Sequence, residues 1–304
     1  MSLITTRIKL RTIRRMSPLR GSTLGVVGAG VMAEAIIAGV LERQLLPAPS
    51  IIASHPRADR RQALAEKHGI KVTADNVEAA RNGDVVVLGL KPQVMPAVLK
   101  ELRGSLAPEK LVISIIAGAT TQTLREGLDH GALVRVMPNT PAQIGEGVNI
   151  WYATPEATEV HRAQARALLG ALGHELQVAD ERFVAMATAV SGTGPTYVFL
   201  VMEALIDSAV HLGFPRHLAH DLVLETIKGS VAFAERTQKH PAQLRDMVTS
   251  PGGTSAAALH ELERGRLRTV LADAVWAAYR RTMSLSDSLS AGKDPEPMPP
   301  RSDS

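Results

Sequence analysis

The chain alternates between short runs that are apolar on both faces and longer stretches whose apolar residues recur every three to four positions. Leu24-Gly25-Val26-Val27 is the first such run, and the spacing of Ile36, Ile37, Val40 and Leu41 predicts a helix over 31–44 behind it. The same reading predicts strands at 50–54, 71–73, 84–90, 111–117 and 132–137, with helices at 58–68, 76–81, 94–102 and 121–127. The connections suit only crossovers, so the expected fold class is an α/β Rossmann domain with a doubly wound, mostly parallel sheet. An edge strand at 148–152, a helix at 156–172 and a last strand at 174–178 complete it.

The pattern changes near Asp180. From there the chain reads as helices: 181–190, 195–212, 216–238, 241–248, 254–264 and 267–288. Val198, Phe199, Leu200, Val201, Met202, Leu205 and Ile206 leave only Glu203 and Asp207 polar in their stretch. A helix apolar nearly all round has to be buried in something, and about a hundred residues offer few such places. A subunit interface is therefore expected, making the protein a homo-oligomer through an all-α dimerisation domain. The expected organisation is a basic, disordered extension over 1–20, a dinucleotide-binding domain over 21–180, a helical substrate and dimerisation domain over 181–289, and a disordered tail over 290–304.

Composition narrows the function. The net charge of +4 comes from the front of the chain, where Arg7, Lys9, Arg11, Arg14, Arg15 and Arg20 have no acid among them. Without that segment the chain is nearly neutral, and aromatics are only 3% of residues, so neither a basic surface nor stacking platforms speak for a nucleic-acid partner. The segment is read as following an upstream start codon, with Met16 an alternative start; a transit peptide is the competing reading. Cysteine is absent, which excludes disulfides and thiolate metal sites and fits a reducing, cytoplasmic location. No apolar run is expected to reach the ~18–20 residues of a membrane span, so no membrane partner is expected.

The chemistry lies at the two ends. Gly28-Ala29-Gly30-Val31-Met32-Ala33 is a GxGxxA turn between an expected strand and helix, the setting in which that pattern binds a dinucleotide pyrophosphate. At the end of the second strand an acid would bind a ribose 2′-hydroxyl. Here stand Ser54, His55, Pro56 and Arg57, with Arg60 and Arg61 behind, a set suited to a 2′-phosphate. NADPH is therefore expected, with NADH weaker. Arg57 is the preferred phosphate contact, while Arg60 and Arg61 can equally be a solvated helix face. Other strand ends aim at the same crevice: Asn76, Gly89-Leu90-Lys91-Pro92, Ile115-Ile116-Ala117 and, after the sixth strand, Asn139.

Near the far end, Ser250-Pro251-Gly252-Gly253-Thr254-Ser255 leads into a predicted helix. Glycines, hydroxyls and a helix N-terminus make a pocket for a small anion. Ser191-Gly192-Thr193-Gly194-Pro195 is expected as a tight bend into the most apolar helix, as readily a structural entry as a ligand contact.

With these motifs the chain resembles the pyrroline-5-carboxylate reductases. The matching segments are 28–36, 87–92, 137–141, 191–197 and 244–254, in that family's order. The resemblance implies reduction of 1-pyrroline-5-carboxylate to L-proline by hydride from NADPH, helical domains intertwined as a dimer, and dimers that can assemble into decamers. It carries cofactor contacts onto Val27 to Met32, His55, Arg57, Asn76, Gly89 to Pro92 and Ile115 to Ala117. Its substrate loop falls on Ser250, Gly252, Gly253, Thr254 and Ser255, with a hydroxyl, Ser255 or Thr254, on the ring nitrogen. Ser255 stands where many relatives have threonine, and Gln238 where some have an acid. A related reductase of acyclic substrates would be expected to offer a lysine in the helical domain; Lys228 and Lys239 do not sit in that pattern. A non-catalytic NADPH sensor could lose the 250–255 loop, which is intact here.

Overall fold

A computed structural model describes residues 17–291. The alternative start at Met16, the basic residues before it and the tail from residue 292 lie outside the described residues. Residues 17–193, together with 278–291, form one compact unit, and Gly194–Ala277 form a second.

The first unit is built on an eight-stranded sheet: β1 (Leu24–Val27), β2 (Ile51–Ser54), β3 (Lys71–Thr73), β4 (Val85–Leu88), β5 (Leu111–Ser114), β6 (Leu133–Met137), β7 (Gly147–Ala153) and β8 (Gly173–Gln177). Their order is β3-β2-β1-β4-β5-β6-β7-β8, and every pair is parallel except β6 with β7. The strand at 147–153, expected at an edge, is paired on both sides, and β8 takes the edge position. Order reverses between β1 and β4, which makes the carboxyl ends of those two strands the switch point of the sheet.

Helices cover both faces. They are α1 (Val31–Glu42), α2 (Ala58–His68), α3 (Asn76–Asn82), α4 (Met95–Leu102), α5 (Thr121–Leu128), α6 (Glu159–Gly170) and the short α7 (Arg182–Ala187). Alternation of side chains along the strands splits the core in two. Val85 and Val87 pack with Ile36, Ile37, Val40 and Leu168 on one face. Val86 and Leu88 pack with Ala79, Leu99, Leu124 and Leu128 on the other. Leu19 is wholly buried in the first of these clusters, so the packed chain begins before the first strand, inside the stretch read as a disordered extension.

The second unit comprises α8 (Gly194–His211), α9 (Arg216–Thr237), α10 (Pro241–Met247), α11 (Thr254–Arg264) and the first part of α12 (Leu267–Ser290). The end of α12 belongs to the first unit. Leu289 is buried with Leu124 and Leu128, and Ser290 hydrogen-bonds Thr123. The expected bend at 191–195 is not a break: a π-turn over Thr188–Gly192 carries the helix through, so Arg182–His211 is helical over 30 residues. That run is long and apolar enough to cross a membrane by length and composition, contrary to the expectation that none would be. Along it Phe199 and Leu200 are 57% and 64% exposed in the single chain. The apolar surface expected to be covered is open in one copy.

One carboxylate joins three elements of the first unit. Glu181 accepts from the Thr121 amide (2.8 Å) and hydroxyl (2.6 Å), capping α5, and pairs with the buried Arg135 of β6 at 2.8 Å. Removing it leaves a buried guanidinium uncompensated. Glu181→Ala is expected to lower stability by about 3–5 kcal/mol, read as the urea midpoint, and the double variant Glu181→Leu with Arg135→Met is expected to recover most of that loss.

Candidate active site

The end of β1 meets the end of β4 backbone to backbone. The Gly89 amide donates to the Val27 carbonyl at 2.8 Å. Gly28 has φ +82°, and a Cβ there would lie 2.6 Å from Leu90 Cδ2. A Cβ on Gly89 would lie 2.7 Å from the Gly28 carbonyl oxygen and 2.8 Å from the Ala33 methyl. Both glycines, and alanine at the third motif position, are therefore required by the fold itself.

Gly30 is different. Its φ of −73° suits any residue, and an added Cβ would meet no described protein atom within 4 Å. Nothing in the protein demands glycine there, so the open space above it is what a bound group would fill. α1 begins at the next residue, and among the described residues no side chain caps it. Its first amides are free to face an anion. The residues present thus fit a dinucleotide pyrophosphate.

The turn is held from below. Ser54 is wholly buried, its hydroxyl donating to Asn76 Oδ1 at 2.7 Å while its Oγ accepts from the Gly28 amide at 3.4 Å. The Ala29 amide donates to the Ser54 carbonyl at 2.9 Å. Asn76 Nδ2 goes on to Glu101 at 3.0 Å. Ser54 and Asn76, read as cofactor contacts, here hold each other and the turn.

At the end of β2 the arginines divide. Arg57 is exposed, and its guanidinium pairs with the Asp59 carboxylate. Arg61 donates to the carbonyls of His55 and Pro56 at 2.7 and 2.8 Å. Arg60 donates to the Ala29 carbonyl and pairs with Glu34. Arg60 and Arg61 are thus committed to the loop and the turn rather than forming a solvated face. Burial, with Arg60 close by, pushes the His55 pKa below its usual value, so that the imidazole is neutral at neutral pH. Burial alone would raise the Glu34 carboxyl, but hydrogen bonds from Lys67, His68 and Arg60 outweigh it and bring it down to about 2. Its charge therefore supports the fold above the ordinary carboxylate range, and that support is lost only as pH falls toward 2.

Elsewhere on the crevice Val31 and Lys91 are exposed, Met32 and Leu90 partly so. Lys91 and Pro92 open a 3₁₀ turn. Ile115 and Ala117 are partly exposed, while Ile116 turns its side chain into the core. The turn after them is packed from behind, since a Cβ on Gly118 would lie 3.1 Å from Leu285 Cβ of α12. Asn139 is committed at both ends. Oδ1 accepts from the Val148 amide at 2.9 Å, and Nδ2 donates to the Ser191 carbonyl at 3.1 Å. Ser191 is four residues before Pro195, which has no N–H to offer that carbonyl, so Asn139 supplies the missing donor.

In the second unit the 250–255 segment forms a turn closing on α11. Gly252 has φ +70°, a conformation that favours glycine, and an added Cβ there would meet no described protein atom within 4 Å. The Gly253 amide donates to the Ser250 carbonyl at 3.1 Å, so it serves the turn. Gly253 is the N-cap of α11, no side chain caps that helix among the described residues, and its first amides, at Thr254 and Ser255, are those that lack intrahelical partners. Thr254 is exposed and Ser255 partly exposed. Among the described residues no group of three or more His, Asp or Glu is placed to hold a metal ion.

Glu34, Asp59 and Glu181 escaped the reading of the sequence. An acid in a first helical turn is commonplace, and nothing local marks residue 34 as the partner of residues 60, 67 and 68.

A doubly wound sheet with a glycine turn at its switch point defines a dinucleotide-linked oxidoreductase of the Rossmann class. Residues 23–118 match the model of the NADP oxidoreductases described as coenzyme F420-dependent, and residues 181–285 match that of pyrroline-5-carboxylate reductase dimerisation. The chain belongs to the pyrroline-5-carboxylate reductase family. It is 41% identical to the pyrroline-5-carboxylate reductase of Synechocystis over 262 residues, covering 86% of this chain and 97% of that one. The enzyme of Pisum sativum is likewise 41% identical, over 87% of this chain and 96% of its own. Among solved structures, the Plasmodium falciparum pyrroline carboxylate reductase with NADP bound superposes with a TM-score of 0.81 at 31% identity, covering 88% of this chain and 98% of that one. The Coxiella burnetii enzyme superposes with a TM-score of 0.79 at 35% identity, covering 87% and 98%.

Gly30→Ala tests the cradle. The variant is expected to fold with a melting temperature within a few degrees of the parent, since the methyl meets no protein atom, yet to bind NADPH roughly tenfold or more weakly because it fills the phosphate space. Calorimetry for the first and titration for the second check this.

Proposed function

We propose that the protein reduces 1-pyrroline-5-carboxylate to L-proline with NADPH, as a cytoplasmic homo-oligomer assembled through its helical region. The observation that carries the cofactor half is Gly30, a helix N-cap glycine with open space above it that a bound phosphate would fill. When bound, NADPH supplies the hydride for the imine carbon. The residues of the chain orient and polarise.

Val31 and Met32 offer amides at the start of α1 to the pyrophosphate. The turns at Gly89 to Pro92 and Ile115 to Ala117 bound the nicotinamide side of the crevice. Arg57 meets the 2′-phosphate by exchanging its Asp59 partner for a stronger anion, with the neutral His55 beside it.

On the substrate, the amides of Thr254 and Ser255 hold the carboxylate at the head of α11, with the Gly252 turn shaping the approach. The Ser255 or Thr254 hydroxyl hydrogen-bonds the ring nitrogen. An iminium accepts hydride more readily than a neutral imine, so a donor at that atom speeds transfer, and orientation supplies the rest. The nitrogen keeps its proton in the product, so no group of the chain has to act as a strong base.

Two outcomes are expected. Oxidation of NADPH should depend on added pyrroline-5-carboxylate, and Ser255→Ala should lower kcat by roughly 10²-fold with little change in NADPH affinity; a lost NADPH affinity with turnover intact would defeat the assignment. Arg57→Asp should raise KM for NADPH at least tenfold more than KM for NADH, and equal rises for both cofactors would remove the 2′-phosphate role.

A further inference from the structure

Arg60 stands in the first turn of α2, yet its guanidinium makes its contacts in the segment where α1 begins. Nε donates to the Ala29 carbonyl at 3.2 Å, and Nη2 pairs with Glu34 Oε2 at 2.6 Å. Those partners bracket Gly30: one is the peptide before it, the other closes the first turn of α1 after it. The peptide unit is rigid, so holding the Ala29 carbonyl sets the plane that leads into Gly30. Holding Glu34 sets the rotation of the turn whose open amides belong to residues 31 to 33.

Glu34 is itself gripped by the far end of α2. Lys67 Nζ lies 2.8 Å and His68 Nε2 3.0 Å from its Oε1. The side chains of Glu34, Arg60 and His68 are 15%, 25% and 8% exposed, so water screens the centre of the cluster poorly, while Lys67 reaches solvent. Placement gives the cluster a sign. A carboxylate in the first turn of α1 suits the helix dipole, but it stands beside the amides where a pyrophosphate would sit, and like charges repel. The cations around it cancel that repulsion.

We propose that Arg60 is a positioning residue of the cofactor site: it holds the phosphate-binding amides of α1 in place and offsets the charge of Glu34 beside them, acting on NADPH and NADH alike. This assigns Arg60 a task distinct from that of Arg57, which reads the 2′-phosphate, and it rests on the reading of the Gly28–Ala33 turn as the cofactor cradle.

The test uses the full-length protein and direct titration of NADPH and NADH. Arg60→Gln is expected to weaken both cofactors by the same factor, roughly tenfold, with kcat at saturating cofactor within about twofold of the parent. Adding Glu34→Gln to that variant removes the unopposed charge and is expected to restore a large part of the affinity for both. A merely structural role would not produce that recovery, since the second change removes a further ion pair. Should Arg60→Gln fail to fold, the solvent-facing Lys67→Gln tests the same charge balance and is expected to weaken both cofactors about two- to threefold. A loss confined to NADPH would make Arg60 a phosphate reader and overturn the proposal, as would unchanged affinities or a double variant weaker than the single one. If the parent protein bound neither cofactor, or Gly30→Ala left binding intact, the cradle reading itself would fall; unchanged binding in the Arg60 and Lys67 variants alone would sink only this inference.

Discussion

The close approach of β1 and β4 at their carboxyl ends is the constraint on which the rest depends. Two glycines meet there with no room for a single methyl between Gly89 and the Gly28 carbonyl, and the Ala33 methyl closes the space from the helix side. That contact brings α1 hard against the sheet and leaves its first amides at the switch point, facing outward. A larger residue at any of the three positions would push the helix away. The ligand-facing geometry is therefore a consequence of packing rather than an addition to it.

Around this contact the protein commits buried and half-buried polar groups to support. Ser54 and Asn76 carry the turn from the β2 and α3 side, Arg60 and Glu34 from the α2 side, and Asn139 mends the helix where Pro195 cannot donate. Each of these groups is satisfied by the protein alone. Glu181 does the same for α5 and Arg135. Such networks are worth little as net stability, because their desolvation offsets most of the attraction, but breaking one member is costly. Their effect is to give the loops one arrangement, as a site that works by orientation requires.

The helical unit shows the opposite economy. Its surface keeps phenylalanine, leucine and valine in the open along α8 in a single copy. An apolar run of this length fits a membrane by composition alone, yet the match of this region to a dimerisation family supplies a protein occupant. The 250–255 turn, proposed above to hold the substrate, heads α11 in the same unit as that exposed apolar surface.

Local pattern was enough for the alternation of strand and helix, for the glycine turn and for the helical character beyond Asp180, because periodicity and turn chemistry act over a few residues. Thr254–Arg264 and Ala58–His68 were legible to the residue, each having a sharp start and a glycine at or just beyond its end. The motifs at 28–33 and 250–255 likewise carried enough short-range information to name a cofactor class and an anion. Tertiary structure decided what those neighbourhoods could not encode. It placed the strand at 147–153 inside the sheet and buried Leu19 in the core. It turned Ser191–Pro195 into a continuous π-turned helix, and it separated the three arginines after β2 into one exposed cation and two committed to backbone carbonyls. Several of those outcomes depend on distant partners, as Ala29 and Glu34 are for Arg60 and Asn139 is for Ser191, and a charge or hydroxyl in sequence does not say which distant group will desolvate it.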